Sequence, residues 1–409
     1  MGDLADAVLP LVRTRADLSR WRMANAHGVQ MHRAVEILRT AVETDNPAVV
    51  FAVTQRAIGS ALKVIMRADD SSGIIGEACS DLLGLHAELA AMAKPPTAKL
   101  VDWMIKFQFD NECDYFSIDP VAYAPALGEQ GMAKYRSRLG ALAAGLGPRP
   151  AESERWGSPH SHDWFTLDWN AQRLAVLDRD VAAIISTHAR DQKVAAWLED
   201  TAHAMEEIGE FDLAIDWAQQ ATDFDRGHQS LKAAGYWCQL LATHRPDELV
   251  AARVEVFRRW PSSSTATSLF RDAGDTWPAY RDEVLELLAA SPRDAVLFAL
   301  LGLDDLQLAW NLAHSLGLAD DRTWRELAKA YEKVDRLAVL PVLTRLVEHD
   351  LTETDAQHYG FAARRLAKMR TLAAGTDAAA EVDQLVAELR QTHRRRPRLQ
   401  LEFDRAGLP

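Results

Sequence analysis

A glycine followed by an alanine-rich amphipathic pattern is the feature that most constrains the fold of this chain. Residues 209–224 read GEFDLAIDWAQQATDF and follow another segment with helical apolar periodicity. Gly209 suits the left-handed position that ends a helix, where a Cβ would clash. Ala214 and Ala221 are small enough for two helices to cross closely, and Phe211 can fill the gap beside the turn. The stretch therefore predicts one unit of a helical repeat, not an active-site motif.

The same arrangement recurs 65 positions later, in RDAGDTWPAYRDEVLELLAASP. There Gly274 corresponds to Gly209, and Ala279 corresponds to Ala214. A turn at Pro246 and a further apolar helix pattern lie between the two copies, so the repeating unit is about half of that spacing. This is the length of a helix–turn–helix repeat such as the tetratricopeptide unit.

Composition supports a helical chain, because 409 residues hold only 21 Gly and 16 Pro. We expect an all-α protein of tandem antiparallel helical hairpins that form a tetratricopeptide-like α-solenoid. Each hairpin covers the apolar face of its neighbour, so such an array folds as a connected unit. The expected segments are an N-terminal helical segment (1–92), helical hairpins (97–147), an exposed linker (148–163), tetratricopeptide-like repeats (164–395) and a basic C-terminal tail (396–409).

Local signals place two helix starts in the repeat region. Thr323 and Glu326 have the spacing of a capping box, in which both side chains satisfy free amides at a helix start. Pro341 predicts a kink or a restart, because proline cannot donate to the helical hydrogen-bond ladder. The helix that follows Thr323 should bury a stripe formed by Trp324, Leu327, Ala328 and Tyr331.

Charge and cysteine content predict a soluble protein of the reducing cytoplasm. The net charge of −13 disfavours nucleic acid over the surface as a whole, so such a contact needs a local basic patch. Cys79, Cys113 and Cys238 form no CxxC pair, which argues against a disulfide framework and a thiolate zinc site. Cys238 is expected to be a small buried hydrophobe. The apolar runs are shorter than a membrane span, so no membrane contact is expected.

The segment WGSPHSHDWFTLDW, residues 156–169, contains the candidate metal ligands His160, His162 and Asp163. A histidine pair needs further ligands, and the sequence supplies no obvious ones, so an ordinary loop is the more common explanation. Tryptophans near this pair could anchor an interface, although at helical spacing a tryptophan more often belongs to the core. These partner candidates are Trp156, Trp164 and Trp169.

The acidic segment FQFDNECDYFSID holds Asp110, Glu112, Asp114 and Asp119. Paired carboxylates can act as general acid and base or bind a cation, whereas the simpler interpretation is a solvated helix end. The segment lacks the glycine and the terminal glutamate of an EF-hand loop. Cys113 lies inside it without a neighbouring histidine to activate a nucleophile.

A basic cluster lies near the end of the chain, within RQTHRRRPR. Such a cluster after a helix can contact phosphates or an acidic partner, or it can simply complement the helix dipole. Its arginines are Arg390, Arg394, Arg395, Arg396 and Arg398.

Several stretches spread over most of residues 30–400 resemble the helical portion of bacterial SWIM-type zinc-finger proteins. They are RADDSSGIIGEACSDLLGLH, VAYAPALGEQGMAKYRSRL, HAMEEIGEFDLAIDWAQQA and VDQLVAELRQTHRRRPRL. The resemblance implies a helical-repeat scaffold connected with a nucleic-acid-binding finger and helicase-type partners. The CxC and CxH pairs of that zinc module are missing here, so the resemblance assigns no zinc ligand.

The sequence contains none of the motifs GxSxG, HExxH or Walker A, and no GxGxxG in a strand–turn–helix context. We therefore expect a non-catalytic scaffold without a cofactor, which holds a protein or peptide in the concave groove of the repeats. Two alternatives remain open. One is a nucleic-acid accessory protein that uses residues 390–398, and the other is a metal-dependent enzyme built on His160 and His162.

Overall fold

A computed structural model describes residues 2–110, 115–150, 157 and 160–409. Every regular element in these ranges is a helix. Most successive helices are joined by short connections and pack on one another as hairpins. The prediction of an all-α chain of tandem helical hairpins is confirmed.

The α-helices are numbered in chain order. In the first half they are α1 (Gly2–Val12), α2 (Trp21–Thr44), α3 (Pro47–Ile65), α4 (Ile74–Ala93), α5 (Thr97–Phe109), α6 (Pro120–Gly145), α7 (Ser161–Asp178), α8 (Val181–Ile184), α9 (Ala195–Glu207) and α10 (Phe211–Asp223). In the second half they are α11 (His228–His244), α12 (Leu249–Arg259), α13 (Ser263–Ala273), α14 (Arg281–Leu288), α15 (Pro292–Leu297), α16 (Leu306–Ser315), α17 (Asp321–Tyr331), α18 (Leu340–Thr352), α19 (Ala356–Ala373), α20 (Ala378–Thr392) and α21 (Pro397–Arg405). Ile185–Ala189 and Phe298–Gly302 are π-helical, and Gly274–Ala279 is a 3₁₀ helix.

The chain divides into two compact units, residues 1–217 and 218–409. In the first unit α1–α4 form a bundle in which α4 packs along both α2 and α3. Met31, Leu38, Leu82 and Leu89 are fully buried there. Helix α3 is long and apolar enough to cross a membrane, but half of its apolar stretch is buried by α1, α2 and α4. Its composition is that of a core helix of the bundle.

The rest of the first unit continues with hairpins. Helix α5 packs on α6, and α6 packs on α7. Asp119 caps α6 by accepting a hydrogen bond from the Val121 amide at 2.9 Å. The helix bends at Gly128, whose φ of +60° is not helical. Helix α7 begins at Ser161, inside the predicted linker 148–163; residues 151–156 and 158–159 of that linker lie outside the described residues.

In the second unit the contacts run along the chain, from α11 to α12 and α13, and then from α15 through α16, α17 and α18 to α19. Helices α20 and α21 both pack on α19. Apolar clusters that contain Phe298, Leu327 and Phe403 follow one another along this unit. Each hairpin thus buries its apolar face against its neighbours, as expected for a repeat array.

Gly209 ends α9 as predicted. Its φ is +82°, its N–H donates to the Glu206 carbonyl at 2.9 Å, and the Glu210 N–H donates to the Met205 carbonyl at 2.9 Å. This is the Schellman motif, which satisfies the last carbonyls of a helix. Ala214 and Ala221 are fully buried in α10, as their small size suggests.

The proposed 65-residue correspondence holds only at the glycine. Gly274 has a positive φ of +48° and ends α13. Ala279, however, ends a 3₁₀ helix and is exposed, unlike Ala214. Pro278 explains the difference, because proline cannot donate to an α-helical ladder. Phe211, the first residue of α10, is 42% exposed.

Helix α17 begins earlier than the predicted capping box. Asp320 is its N-cap and accepts a hydrogen bond from the Thr323 amide at 2.7 Å, so Thr323 lies inside the first turn. The capping-box prediction for Thr323 and Glu326 is therefore wrong. Pro341 lies in the first turn of α18, which confirms the predicted restart. The predicted stripe of Trp324, Leu327, Ala328 and Tyr331 is buried.

The segment 396–409 is not an extended tail. Pro397 begins α21, and Leu399 and Phe403, one helical turn apart, are fully buried against the neighbouring helices. Because several arginines precede Pro397, the segment was predicted as a basic tail and its short amphipathic pattern was missed.

Close packing between α2 and α4 depends on Gly28. A Cβ at this position would lie 2.5 Å from Ile74 Cγ2, and the nearby Ile74 Cβ leaves the side chain little room to move. We expect Gly28→Ala to destabilise the first unit by about 1–3 kcal/mol through overpacking. Urea unfolding of the full chain, followed by hydrogen-exchange mass spectrometry on α2 and α4 peptides, measures this change.

Gly59→Ala is the matched control, because Gly59 is an exposed residue of α3 with open space around its Cβ position. Alanine should there stabilise the same bundle by about 0.5–1 kcal/mol through helix propensity. Equal effects of the two substitutions would contradict the packing role of Gly28.

Candidate functional site

The structure pairs two of the three candidate metal ligands, and the third contacts another part of the fold. His160 Nδ1 lies 3.0 Å from Asp163 Oδ2, whereas His162 Nε2 donates to the Gln108 carbonyl at 3.3 Å. The two rings are therefore engaged with different parts of the fold. Within the described ranges, no group of three His, Cys, Asp or Glu side chains could hold a metal ion.

The candidate tryptophans pack within the first unit. Trp164 is only 8% exposed, with the Arg149 guanidinium 5.9 Å from its ring centroid. Trp169 donates its indole N–H to the Ile118 carbonyl at 3.1 Å. A buried ring cannot anchor a partner, so Trp164 belongs to the core, which is the more common place for a tryptophan at helical spacing. The hydrogen bond of Trp169 holds its side chain within the first unit. Trp156 lies outside the described residues.

The acidic segment contributes a structural ion pair. Asp119, besides capping α6, accepts two hydrogen bonds from Arg173 at 2.8 and 3.0 Å, and Arg173 also binds Glu207 at 2.6 and 2.7 Å. Burial alone would lower the pKa of Arg173, but its hydrogen bonds to Glu207 and Asp119 outweigh burial and raise it. Asp110 only ends α5. Glu112, Cys113 and Asp114 lie outside the described residues.

A buried polar network next to this ion pair was not predicted from the sequence. Gln108, Tyr135 and Asn170 form a closed ring of hydrogen bonds of 2.6–2.9 Å from three different helices. Burial raises the pKa of the Tyr135 hydroxyl. These three side chains lie in the interior of the first unit and are not exposed to a substrate.

Cys238, in the second unit, is fully buried as expected, and burial raises the pKa of its thiol.

Most of the basic cluster near the C-terminus is engaged within the chain. Arg390 binds Asp404 at 2.8 Å, and Arg396 donates to the Leu351 carbonyl at 2.9 Å. Arg398 lies 3.7 Å from Glu402. Arg394 and Arg395 are exposed, and neither has an ion-pair partner in the part of the chain that the structure describes.

A cavity of about 390 Å³ in the first unit lies beside the π-helical turn Ile185–Ala189. Its charged walls are already paired. Arg149 binds Asp168 at 2.6 Å, and the Arg190 guanidinium lies 4.8 Å from the Trp197 ring centroid. A ligand would have to displace these contacts.

A second cavity, of about 300 Å³, lies between consecutive helices of the second unit. We call it the α17–α19 cavity. Ala328 and Val339 are buried in its wall and Leu343 is half-buried, which makes an apolar floor. Four cationic side chains and one carboxylate complete the lining: Arg325, Lys329, Arg365, Lys368 and Glu332.

The cations of the α17–α19 cavity are only partly neutralised. Arg365 pairs with the buried Asp350, and Lys368 binds Glu332 at 3.1 Å. Among the described residues, neither Arg325 nor Lys329 has an ion-pair partner, and both are exposed. Sequence reasoning missed this site, because its residues come from separate helices. A signal was present: α19 contains four Arg or Lys and no Asp or Glu.

Comparison with known proteins adds a family but no activity. No curated protein matches the sequence. Among solved structures, the chain is similar to a "circular tandem repeat protein with novel repeat topology and enhanced subunit contact surfaces". Identity is 13%, with 98% of this chain and 95% of that chain covered and a TM-score of 0.15. A TM-score this low does not establish a shared fold. Residues 9–398 match the family of unknown function DUF6880, and the chain belongs to that family.

Proposed function

We propose that this protein is a non-catalytic helical-repeat scaffold of the bacterial cytoplasm that binds a protein partner at the α17–α19 cavity. The observation that carries the proposal is the cavity itself, with an apolar floor and two exposed cations that lack an ion-pair partner within the described chain. An apolar centre with a polar rim is the usual anatomy of a protein–protein interface. Repeat arrays typically use surfaces made by successive hairpins for such contacts.

The test is affinity capture on the full chain, from nuclease-treated lysate of its own organism, at low and high salt. We expect the native chain to retain a partner protein that the Arg325→Ala/Lys329→Ala variant loses. Arg394→Ala/Arg395→Ala removes the same charge from the same unit but leaves the cavity intact, so it should retain the partner. If all three chains retain the same proteins, or none, the proposed site is wrong.

A second candidate function is nucleic-acid binding through Arg394 and Arg395, supported by their exposure and lack of an ion-pair partner in the described chain. The resemblance to SWIM-type zinc-finger proteins points the same way. Each phosphate contact contributes about 0.7–0.9 to the logarithmic salt slope of binding. Neutralising both arginines should therefore lower the slope by about 1.5, as measured by fluorescence anisotropy with DNA or RNA. A slope that stays unchanged would exclude this candidate.

A further inference from the structure

We infer that the α17–α19 cavity binds a short acidic segment of its partner, in which carboxylates lie beside an apolar side chain. The inference rests on the proposed function, because it identifies the chemistry of the partner at that same site. It follows from the charge, the size and the surroundings of the cavity.

The rim of the α17–α19 cavity is positively charged. Arg325 and Lys329 lie one turn apart on α17, so their side chains emerge from the same face of the helix. Lys368 is paired with Glu332, and the two side chains are 47% and 23% exposed. The rim thus offers Arg325 and Lys329 to a partner with negative charge.

The α17–α19 cavity is small and its floor is apolar. A cavity of about 300 Å³ is at the lower end of ligand sites, so it accommodates a few side chains and not an extended cofactor. Its floor of Ala328, Val339 and Leu343 offers no charge and suits an aliphatic side chain. Acidic and aliphatic side chains in one short peptide segment match the rim and the floor together.

The charge of the second unit favours a short peptide over nucleic acid. The chain has a net charge of −13, and residues 218–409 contain 25 Lys and Arg against 28 Asp and Glu. A long polyanion would extend from the cavity over a surface with no excess of positive charge, so it would gain little attraction beyond the cavity. A short acidic segment needs only the local basic patch.

The experiment titrates the full chain into fluorescein-labelled peptides, followed by anisotropy at two salt concentrations. The probe peptide has glutamate pairs that flank leucine. In one control peptide glutamine replaces glutamate, and in another serine replaces leucine. An oligothymidylate of equal length tests for a general polyanion site.

We expect the Glu/Leu peptide to bind, and its Kd to rise at least about tenfold in Arg325→Ala/Lys329→Ala, because two charge-assisted contacts are lost. Arg394→Ala/Arg395→Ala should leave the Kd unchanged, and both control peptides should bind more weakly. Equal binding of the control peptides, or tighter binding of the oligothymidylate that depends on Arg325 and Lys329, would overturn the inference. If no peptide binds but captured proteins still depend on Arg325 and Lys329, the scaffold stands and the acidic segment is wrong. If that dependence is also absent, the proposed function itself fails.

Discussion

Replacing Arg365 with methionine is expected to destabilise the second unit by about 3–5 kcal/mol. Arg365 pairs with Asp350, whose side chain is only 8% exposed, and the Arg365 side chain is itself 16% exposed. Removing the arginine leaves a buried carboxylate without its partner, which costs far more than the loss of a surface ion pair. Urea unfolding of the full chain, read by hydrogen exchange in peptides from α18 and α19, measures the change.

The double variant Arg365→Met/Asp350→Leu separates the buried charge from side-chain packing. Replacing both members of a buried ion pair with apolar residues of similar size is often neutral, so the double variant should recover most of the stability. If Arg365→Met costs less than about 1 kcal/mol, or the second substitution restores nothing, the buried pair does not have the proposed role.

The same two variants test whether Arg365 only supports the wall of the α17–α19 cavity or also contacts the partner. Asp350 neutralises its charge from the interior, whereas Arg325 and Lys329 lack such a partner in the described chain. The stable double variant should therefore bind the Glu/Leu peptide nearly as well as the native chain. A large loss of binding would assign Arg365 a direct contact with the partner.

Features that depend only on residues close in sequence could be predicted. Gly209 and Pro341 are examples. The left-handed residue at the end of α9 requires glycine, and proline fits only the first turn of α18. The error at Thr323 is also local. Asp320 lies three residues earlier, and its carboxylate accepts from the Thr323 amide and hydroxyl, so it takes the capping position.

The candidate site depends on residues that are distant in sequence, and this limited the prediction. Arg325 and Lys329 are on α17, whereas Arg365 and Lys368 are on α19. Periodicity shows which face of each helix is apolar, but it does not show which helices share a cavity. The arginines near the C-terminus are close in sequence and suggested a binding surface. Arg390 and Arg396, however, form contacts within the fold.

The first unit should lose stability between pH 6.5 and pH 4, owing to His86 on α4. This side chain is fully buried, and its ring stacks on Phe51 and packs at a tilt against Trp103, at centroid distances of 4.4 and 4.2 Å. Nδ1 lies 2.8 Å from the Tyr123 hydroxyl, and Nε2 has no hydrogen-bond partner among the described residues. Burial lowers the pKa of His86 from 6.5 to about 3, since a charged ring would have no compensation there.

Because the pKa of His86 is lower in the folded state, the unfolded chain takes up the proton first as the pH falls. The stabilisation by the neutral ring is complete above pH 6.5 and is lost as the pH falls from there toward the folded-state pKa. Each pH unit in this range costs about 1.4 kcal/mol, so about 2–3 kcal/mol should be lost by pH 4.5. Burial also lowers the pKa of His188, which adds to the slope in the same direction.

The His86→Phe/Tyr123→Phe variant isolates the contribution of His86. Phenylalanine keeps the aromatic stack with Phe51 and Trp103, and the second substitution avoids leaving the Tyr123 hydroxyl without a partner. Unfolding of α4, measured by hydrogen exchange at pH 7.5 and pH 4.5, should depend less on pH in this variant by about 2–3 kcal/mol. An unchanged pH dependence would mean that His86 is charged inside the folded unit, and that a group facing its ring compensates the charge.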